Sequence, residues 1–598
     1  MDSRFSSLLR GKDLLRSTPS TQRDQQSDQP HPFGHGWYQL VALCNSVLAG
    51  VSFLAHVLCV WLASRVMDHW CQPPDSFKNL SAAEWKKKAI PIMEDGNYSH
   101  CTARSPPDAG EFARVVPCVS WTFDTDEYGG NLVSEWRLVC DRSWLLTASF
   151  VIYGVLPLLW LPILGSAADR AGRKLVATFL LPALLLAGFA SAFTRSFVVF
   201  VALRLVVLGT AAAMTLILLV LLYEAAVPDW KTPICFLASA VMNVGATCLF
   251  FIMKSLKLDW RVVFLVAMIP TVTQISVLCT VHESYAWLAA NCRTEEAKSA
   301  ALNAARINGV SPDICWAALS KAAQLNHGQY AGQFDRMRLS VISPPVRLLS
   351  FLLWCIWFAV NFCYCELLLT DSLPLNGHVA LAGGFCLAPA FALHYGLLVR
   401  FGTRHTTVAS ALVFSVVSIF LAGFYNHLEN TVWESVFVAF MRVLVSVISS
   451  LVACLPFQAY PATTRCTGVS LCFAVGWALC NSAELALYHV RIHRRDITLF
   501  SVSLLMPLAA AAVHHLPSIP GDDPERSRPT VVASKDDVRR SYSDSLVPLP
   551  KGPLTSRKKI ARLDARPEMF ARRMSRLSLV SISERSSFVR SSSSYRLE

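Results

Sequence analysis

The residues best suited to chemistry in this 598-residue chain are charges set in apolar surroundings. Arg204, Glu366, Arg442 and Glu484 each interrupt a long hydrophobic run. An ion in such a run is costly, so it is expected to face a partner or a wet cavity, or to serve the passage of another charged species. Glu366 and Glu484 lie toward the ends of their runs, where a carboxylate can meet water, attract a cation or take up a proton. His56 and His394 could relay protons near neutral pH, although a satisfied buried ring is the plainer expectation. A compact cationic loop, Asp169-Arg170-Ala171-Gly172-Arg173-Lys174, lies between two runs. Cys71, Cys101, Cys118 and Cys140 share one polar segment with the sequons at Asn79 and Asn97. No nucleophile elbow, phosphate loop, zinc-ligand spacing or dinucleotide fingerprint occurs in a suitable context. An enzyme is therefore not expected, nor a metal or cofactor.

The elements that must position these groups are apolar. Hydrophobic runs fall roughly at 38–64, 144–165, 175–194, 198–222, 233–254, 262–281, 346–366, 379–400, 406–425, 432–456, 466–488 and 496–516. About 20 apolar residues cross a bilayer as a helix, and lipid obliges backbone groups to pair within the segment. The expected fold is an all-α membrane protein with twelve transmembrane helices. Composition agrees: 53% of residues are hydrophobic, 16% are charged, and the mean hydropathy is +0.42. The net charge of +13 does not point to nucleic acid. The final segment from Pro517 carries 17 Lys/Arg against 10 Asp/Glu, and basic residues beside spans serve orientation. Met1–Gly36 is polar and the first apolar run is too long for a cleavable signal, so none is expected.

The cations of 169–174 place that loop in the cytoplasm. Counting spans then puts both termini inside and the loop 66–143 outside, where its four cysteines can form disulfides in any of three pairings. Glycosylation of Asn79 and Asn97 requires the same side. The expected organisation is a cytoplasmic N-terminus over 1–34, a six-helix half over 35–283 that includes the outer loop, and a helical cytoplasmic connector over 284–345. A second six-helix half follows over 346–516, then a disordered basic tail over 517–598.

Several motifs carry a family resemblance. Gly165-Ser166-Ala167-Ala168-Asp169-Arg170-Ala171-Gly172-Arg173-Lys174 resembles the loop between spans two and three of the major facilitator superfamily. Glu135-Trp136-Arg137-Leu138-Val139-Cys140-Asp141, His282-Glu283-Ser284-Tyr285-Ala286-Trp287-Leu288 and Tyr460-Pro461-Ala462-Thr463-Thr464-Arg465 are similar to motifs of solute carrier family 22, the organic cation, anion and carnitine transporters. The resemblance covers roughly 35–517 and implies two six-helix halves around a central site. It implies conformational-switch roles for Asp169, Arg170, Arg173, Arg204, Glu224, Glu283, Arg400, Arg404, Arg442 and Arg465. Trp357 and Tyr364 match the family's spacing of cavity aromatics, and Trp477 stands where charge-selective relatives keep an acid or a base. With Glu366 and Glu484 these are the expected substrate contacts.

The departures set this chain apart. Val399 replaces an acid in the second-half loop, Gln458 replaces the acid before Tyr460, and Leu387 replaces a charge in span eight. They imply weakened interlocks in the second half and an atypical substrate. The resulting expectation is a plasma-membrane solute carrier that moves small organic ions or zwitterions by alternating access, with proton or ion coupling as a variant. The alternative expectation is a transporter-derived receptor or scaffold that binds a ligand through its outer loop without transport.

Overall fold

The computed structural model describes residues 33–93, 96–107, 113–124, 129–256, 258–319, 344–368, 377–428, 431–493 and 495–516. The expectations for the N-terminus before Phe33, the connector over 320–343 and the tail from Pro517 lie outside these residues, as do the side chains of 377–384 and 484–498.

The first helix, α1 (Trp37–Ala63), begins where Gly36 and Gln39 exchange a capping bond, and Asn308 accepts from Tyr38 N at 2.9 Å. The polar segment that follows folds around two antiparallel strand pairs. Strand β1 (His69–Cys71) leads to α2 (Ala82–Ala89), whose first turn Ser81 caps through Glu84 N. Then come β2 (Thr102–Ser105), β3 (Arg114–Pro117) and β4 (Trp121–Phe123); β1 pairs with β4 and β2 with β3. Cys71 is bonded to Cys118 and Cys101 to Cys140. Trp70, Trp85, Ala89 and Ile90 form the small core beneath them, and Trp85 Nε1 donates to Cys71 O at 2.8 Å. A core this small gains much from cross-links.

After α3 (Leu132–Trp136) the chain turns apolar. The helices α4 (Ser143–Val155), α5 (Pro157–Ala171), α6 (Arg173–Phe193), α7 (Phe197–Ala225), α8 (Lys231–Ser255), α9 (Trp260–Thr273) and α10 (Ile275–Thr280) complete the first bundle with α1. Two short helices, α11 (Tyr285–Ala290) and α12 (Thr294–Ile307), follow it. The second bundle comprises α13 (Pro344–Leu368), α14 (Gly377–Gly423), α15 (Tyr425–Leu428), α16 (Val432–Ala459), α17 (Arg465–His493) and α18 (Arg495–His515).

Among the described residues ten helices are long and apolar enough to cross a membrane. The apolar runs at 379–400 and 406–425 fall in one of them, α14, which leaves helical geometry at Gly402 with φ 78° and so consists of two rods. The last run appears as the shorter apolar helix Leu499–His515. Membrane helices gain nothing from hydrophobicity against lipid tails, so close packing of small residues holds them together. A Cβ on Gly165 would lie 2.7 Å from Cys466 O, and one on Gly476 would lie 3.0 Å from Trp357 Cβ. The largest core cluster runs across the seam between bundles, joining Leu161, Val207 and Phe236 to Phe391, Leu451 and Phe457.

Candidate functional site: a charged lock beneath an aromatic cluster

The loop between α5 and α6 can turn tightly because Gly172 adopts φ 115°. A side chain there would be strained, and its Cβ would lie 2.5 Å from Glu283 Oε2 and displace that carboxylate. That carboxylate accepts from Arg173 N at 3.0 Å and Lys174 N at 3.1 Å, a negative charge on the unpaired amides that open α6. Asp169, one turn earlier, does the same across the seam. It accepts from Cys466 N at 3.2 Å, and from Thr467 N and Thr467 Oγ1 at 2.7 Å each, at the start of α17.

Two guanidiniums complete the lock. Arg173 Nη2 lies 3.1 Å from Asp169 Oδ1 and 3.3 Å from Glu224 Oε1, and donates to Ala462 O. Arg465 Nη1 lies 2.6 Å from the same Glu224 oxygen, so Glu224 of the first bundle is held by an arginine of the second. Arg173 and Glu224 are buried. The guanidiniums lie over Trp287 and Tyr223, at 5.2 and 5.0 Å, and Trp287 Nε1 donates to Asp169 O. A buried charge cluster adds little net stability, yet losing one member strands the others. It suits a contact that must hold firmly and still release.

The second-half counterpart carries no acid. Val399 is half-buried, Arg400 is exposed, and Arg404 donates to His514 O and Leu516 O at the end of α18. The expected weakness at Gln458 is offset by a neutral link. Gln458 Nε2 donates to Thr232 Oγ1 of the first bundle at 2.5 Å and to Thr403 Oγ1 at 3.2 Å.

About two and about three turns beyond Arg465 along α17, Phe473 and Trp477 stack with centroids 5.8 Å apart and planes at 11°. Phe53 of α1 lies 5.8 Å from Phe473 and 6.4 Å from Trp477, and Trp357 of α13 meets Phe473 edge-on at 5.8 Å. Trp477 Nε1 donates to Tyr153 O at 3.3 Å. Four helices from both bundles thus converge on one aromatic cluster. One buried donor of the cluster, Trp357 Nε1, finds no hydrogen-bond acceptor among the described residues, while the Tyr153 ring packs with Phe200 and Trp260 in the first-bundle core.

The remaining expected residues lie apart. Tyr364 is half-buried against the second-bundle core, two turns beyond Trp357. Glu366 is 1% exposed and so does not meet water, as its place near the helix end had suggested. Glu484 falls among the side chains outside the description. Arg204 is buried far from the lock, donating to His56 O at 2.9 Å and lying over Phe264. Arg442 is half-buried on α16 and Arg170 is exposed. His56 contacts Thr271 Oγ1, and His394 contacts Ala390 O and Ser410 Oγ. Asn79 and Asn97 are both exposed. His69 stands against the Cys101–Cys140 pair, whose sulfurs, joined to each other, offer no thiolate for a metal. Phe53, Phe473 and Tyr153 escaped the sequence reading because an aromatic residue in an apolar run carries no pattern of its own.

Two helical bundles locked across a seam, with small residues at their contacts, define a membrane transporter of the major facilitator fold. The chain belongs to the sugar (and other) transporter family, whose pattern matches residues 139–483, and within it resembles solute carrier family 22. Solute carrier family 22 member 7 of Rattus norvegicus is 27% identical over 76% of this chain and 88% of its own length. A beta-alanine transporter of Drosophila melanogaster is 27% identical over 64% of this chain and 70% of its own. The fold is shared with the proton:xylose symporter XylE, at a TM-score of 0.54 and 15% identity over 82% of this chain and 97% of that one.

Proposed function

We propose that this protein is a plasma-membrane solute carrier with twelve spans and both termini in the cytoplasm, moving small organic ions or zwitterions by alternating access. The observation that carries this reading is vertical order. A lock of Asp169, Arg173, Glu224 and Arg465 joins the bundles on one side, directly below an aromatic cluster built by both. Opening the lock would expose the cluster to the cytoplasm. The related beta-alanine transporter supports a zwitterionic or small organic substrate. A non-transporting receptor finds no support among the relatives, which are named as carriers and transporters.

The cluster favours flat, amphipathic molecules. It offers π faces for stacking and one unpaired donor, Trp357 Nε1, for an acceptor on the substrate. Glu366 or Glu484 would then set charge preference. Uptake of labelled cations, anions and zwitterions into cells displaying the protein tests the reading, with Trp477→Ala as control. Saturable uptake of at least one class, weakened in the variant, is expected. Flux with no saturable component for any class would overturn it.

A further inference from the structure

A second feature of the seam lies on its outer surface. Between α8 and α14 runs an apolar groove of about 680 Å³. Its floor is the contact of Phe236 with Phe391, at 5.7 Å, which joins the two bundles. Leu237 and Val241 form one exposed wall, and Ala388 and Ala392 the other. Among the described residues its lining comes from α8 and α14 and includes none of the aromatic cluster, and its exposed walls turn it to the surface. The small residues of α14 leave space that the larger side chains of α8 do not fill.

In a bilayer such a groove cannot stay empty. Its lining would lose dispersion contacts on one side, and water finds no adequate set of partners there, since Tyr395 alone brings a side-chain hydroxyl. Hydrocarbon is the filling at hand. The groove starts near the lock and runs to about the middle of α8. Phe236 is about one turn beyond Thr232, which bonds Gln458 beside the lock, and Tyr395 precedes the Gly402 turn by about two turns. At the end of the same rod, five residues on and toward its exposed side, stands Arg400.

We infer that the groove binds one anionic phospholipid of the cytoplasmic leaflet, its acyl chain between α8 and α14 and its phosphate at Arg400. A basic group at the membrane surface attracts anionic headgroups, and the apolar walls above it accept the chain. The inference rests on the orientation proposed above, not on any transported substrate. A bound chain would lie directly over the neutral Gln458–Thr232 link and so bear on how the seam opens.

The test uses full-length protein in phosphatidylcholine nanodiscs containing a phosphatidylserine with a photoreactive acyl chain, followed by peptide mapping. Adducts should concentrate in 236–245 and 388–395, and unlabelled phosphatidylserine should compete better than added phosphatidylcholine. Ala392→Trp, which fills the groove, should reduce these adducts to the level of other lipid-facing peptides. Val241→Trp does the same from the opposite wall should the first variant fail to fold. Arg400→Gln should remove the preference for phosphatidylserine while leaving chain labelling, and Val416→Trp, on an exposed face elsewhere, should change nothing. Uniform labelling insensitive to Ala392→Trp and Val241→Trp would overturn the proposal. So would equal competition by both phospholipids, or stronger competition by cholesterol, which would assign the groove to a sterol. Loss of labelling with intact uptake, or the reverse, separates this inference from the transport reading.

Discussion

Asp169 gathers more of the lock than any other side chain, accepting three hydrogen bonds from the start of α17 while balancing Arg173. Asp169→Asn keeps the shape but removes the charge, leaving Arg173 to Glu224 alone. Breaking a buried pair costs about 3–5 kcal/mol, so the substitution should shift the protein strongly toward the state with the lock open. Val399→Asn should shift it little, because no charge stands there to be unbalanced. State-dependent labelling from each side reads both, and equal, small effects would show that the loop serves topology alone. Trp477 makes the second residue-scale prediction. Trp477→Ala should weaken binding of aromatic substrates by about 1–3 kcal/mol, the range for losing a desolvated aromatic contact. Trp477→Asp should favour cations, since a carboxylate in a low-dielectric site attracts positive charge strongly. Competitive uptake with matched cationic and neutral aromatic ligands decides, and an unchanged ranking would mean that Trp477 only packs. The sequence made Asp169, Arg173, Glu283 and Arg465 legible because charges and glycines at fixed spacing stand out against apolar runs. It could not show that Phe53 and Phe473 complete the cluster, because packing, not pattern, selects them.

At the scale of elements, the apolar runs announced the helices, and Gly402 altered their outline by letting two rods follow one another without a loop. The loss of acids in the second half was legible, but its consequence was not. An amide at 458 still reaches across the seam through the Thr232 hydroxyl. Gln458→Ala should therefore loosen the closed state. Gln458→Glu should largely keep it, since both threonine hydroxyls can donate to a carboxylate. Hydrogen exchange at the start of α8 measures this, and identical behaviour of the two variants would argue against the link. In the disulfide-linked segment, burial holds the His69 imidazole below its ordinary range. His69 stacks on His100 and Phe123, near Asp68 and Lys86, and contacts Met67 O at 2.9 Å. A lowered histidine adds stability above its unfolded value of about 6.5 and loses it as pH falls through the folded one. With the intrinsic rate at each pH divided out, the amides that pair β1 with β4 should thus be less protected at about pH 5 than at about pH 7.5. His69→Phe, which keeps the stack, should flatten the difference; an unchanged pH dependence would locate it elsewhere.

For the whole molecule, two bundles, a cross-linked polar segment and a lock at the other end of the helices form one arrangement in which closing one face is a matter of a few side chains. The outer location proposed for the loop 66–143 predicts that a glycosidase shifts gel mobility unless both Asn79 and Asn97 are replaced, and that Cys71, Cys101, Cys118 and Cys140 are all oxidised on surface protein. Free thiols there, or no shift, would place the loop inside. The central claim is that the lock of Asp169, Arg173, Glu224 and Arg465 holds the cytoplasmic side closed and opens during transport. The most direct measurement is the distance between fluorophores on noncanonical residues at Lys174 and His405, on the two bundles, in single molecules. The wild type should show a dominant short distance and an occasional longer one, and Glu224→Gln should populate the longer one at the expense of the shorter. A single distance, unchanged in Glu224→Gln and by transported substrate, would contradict the account.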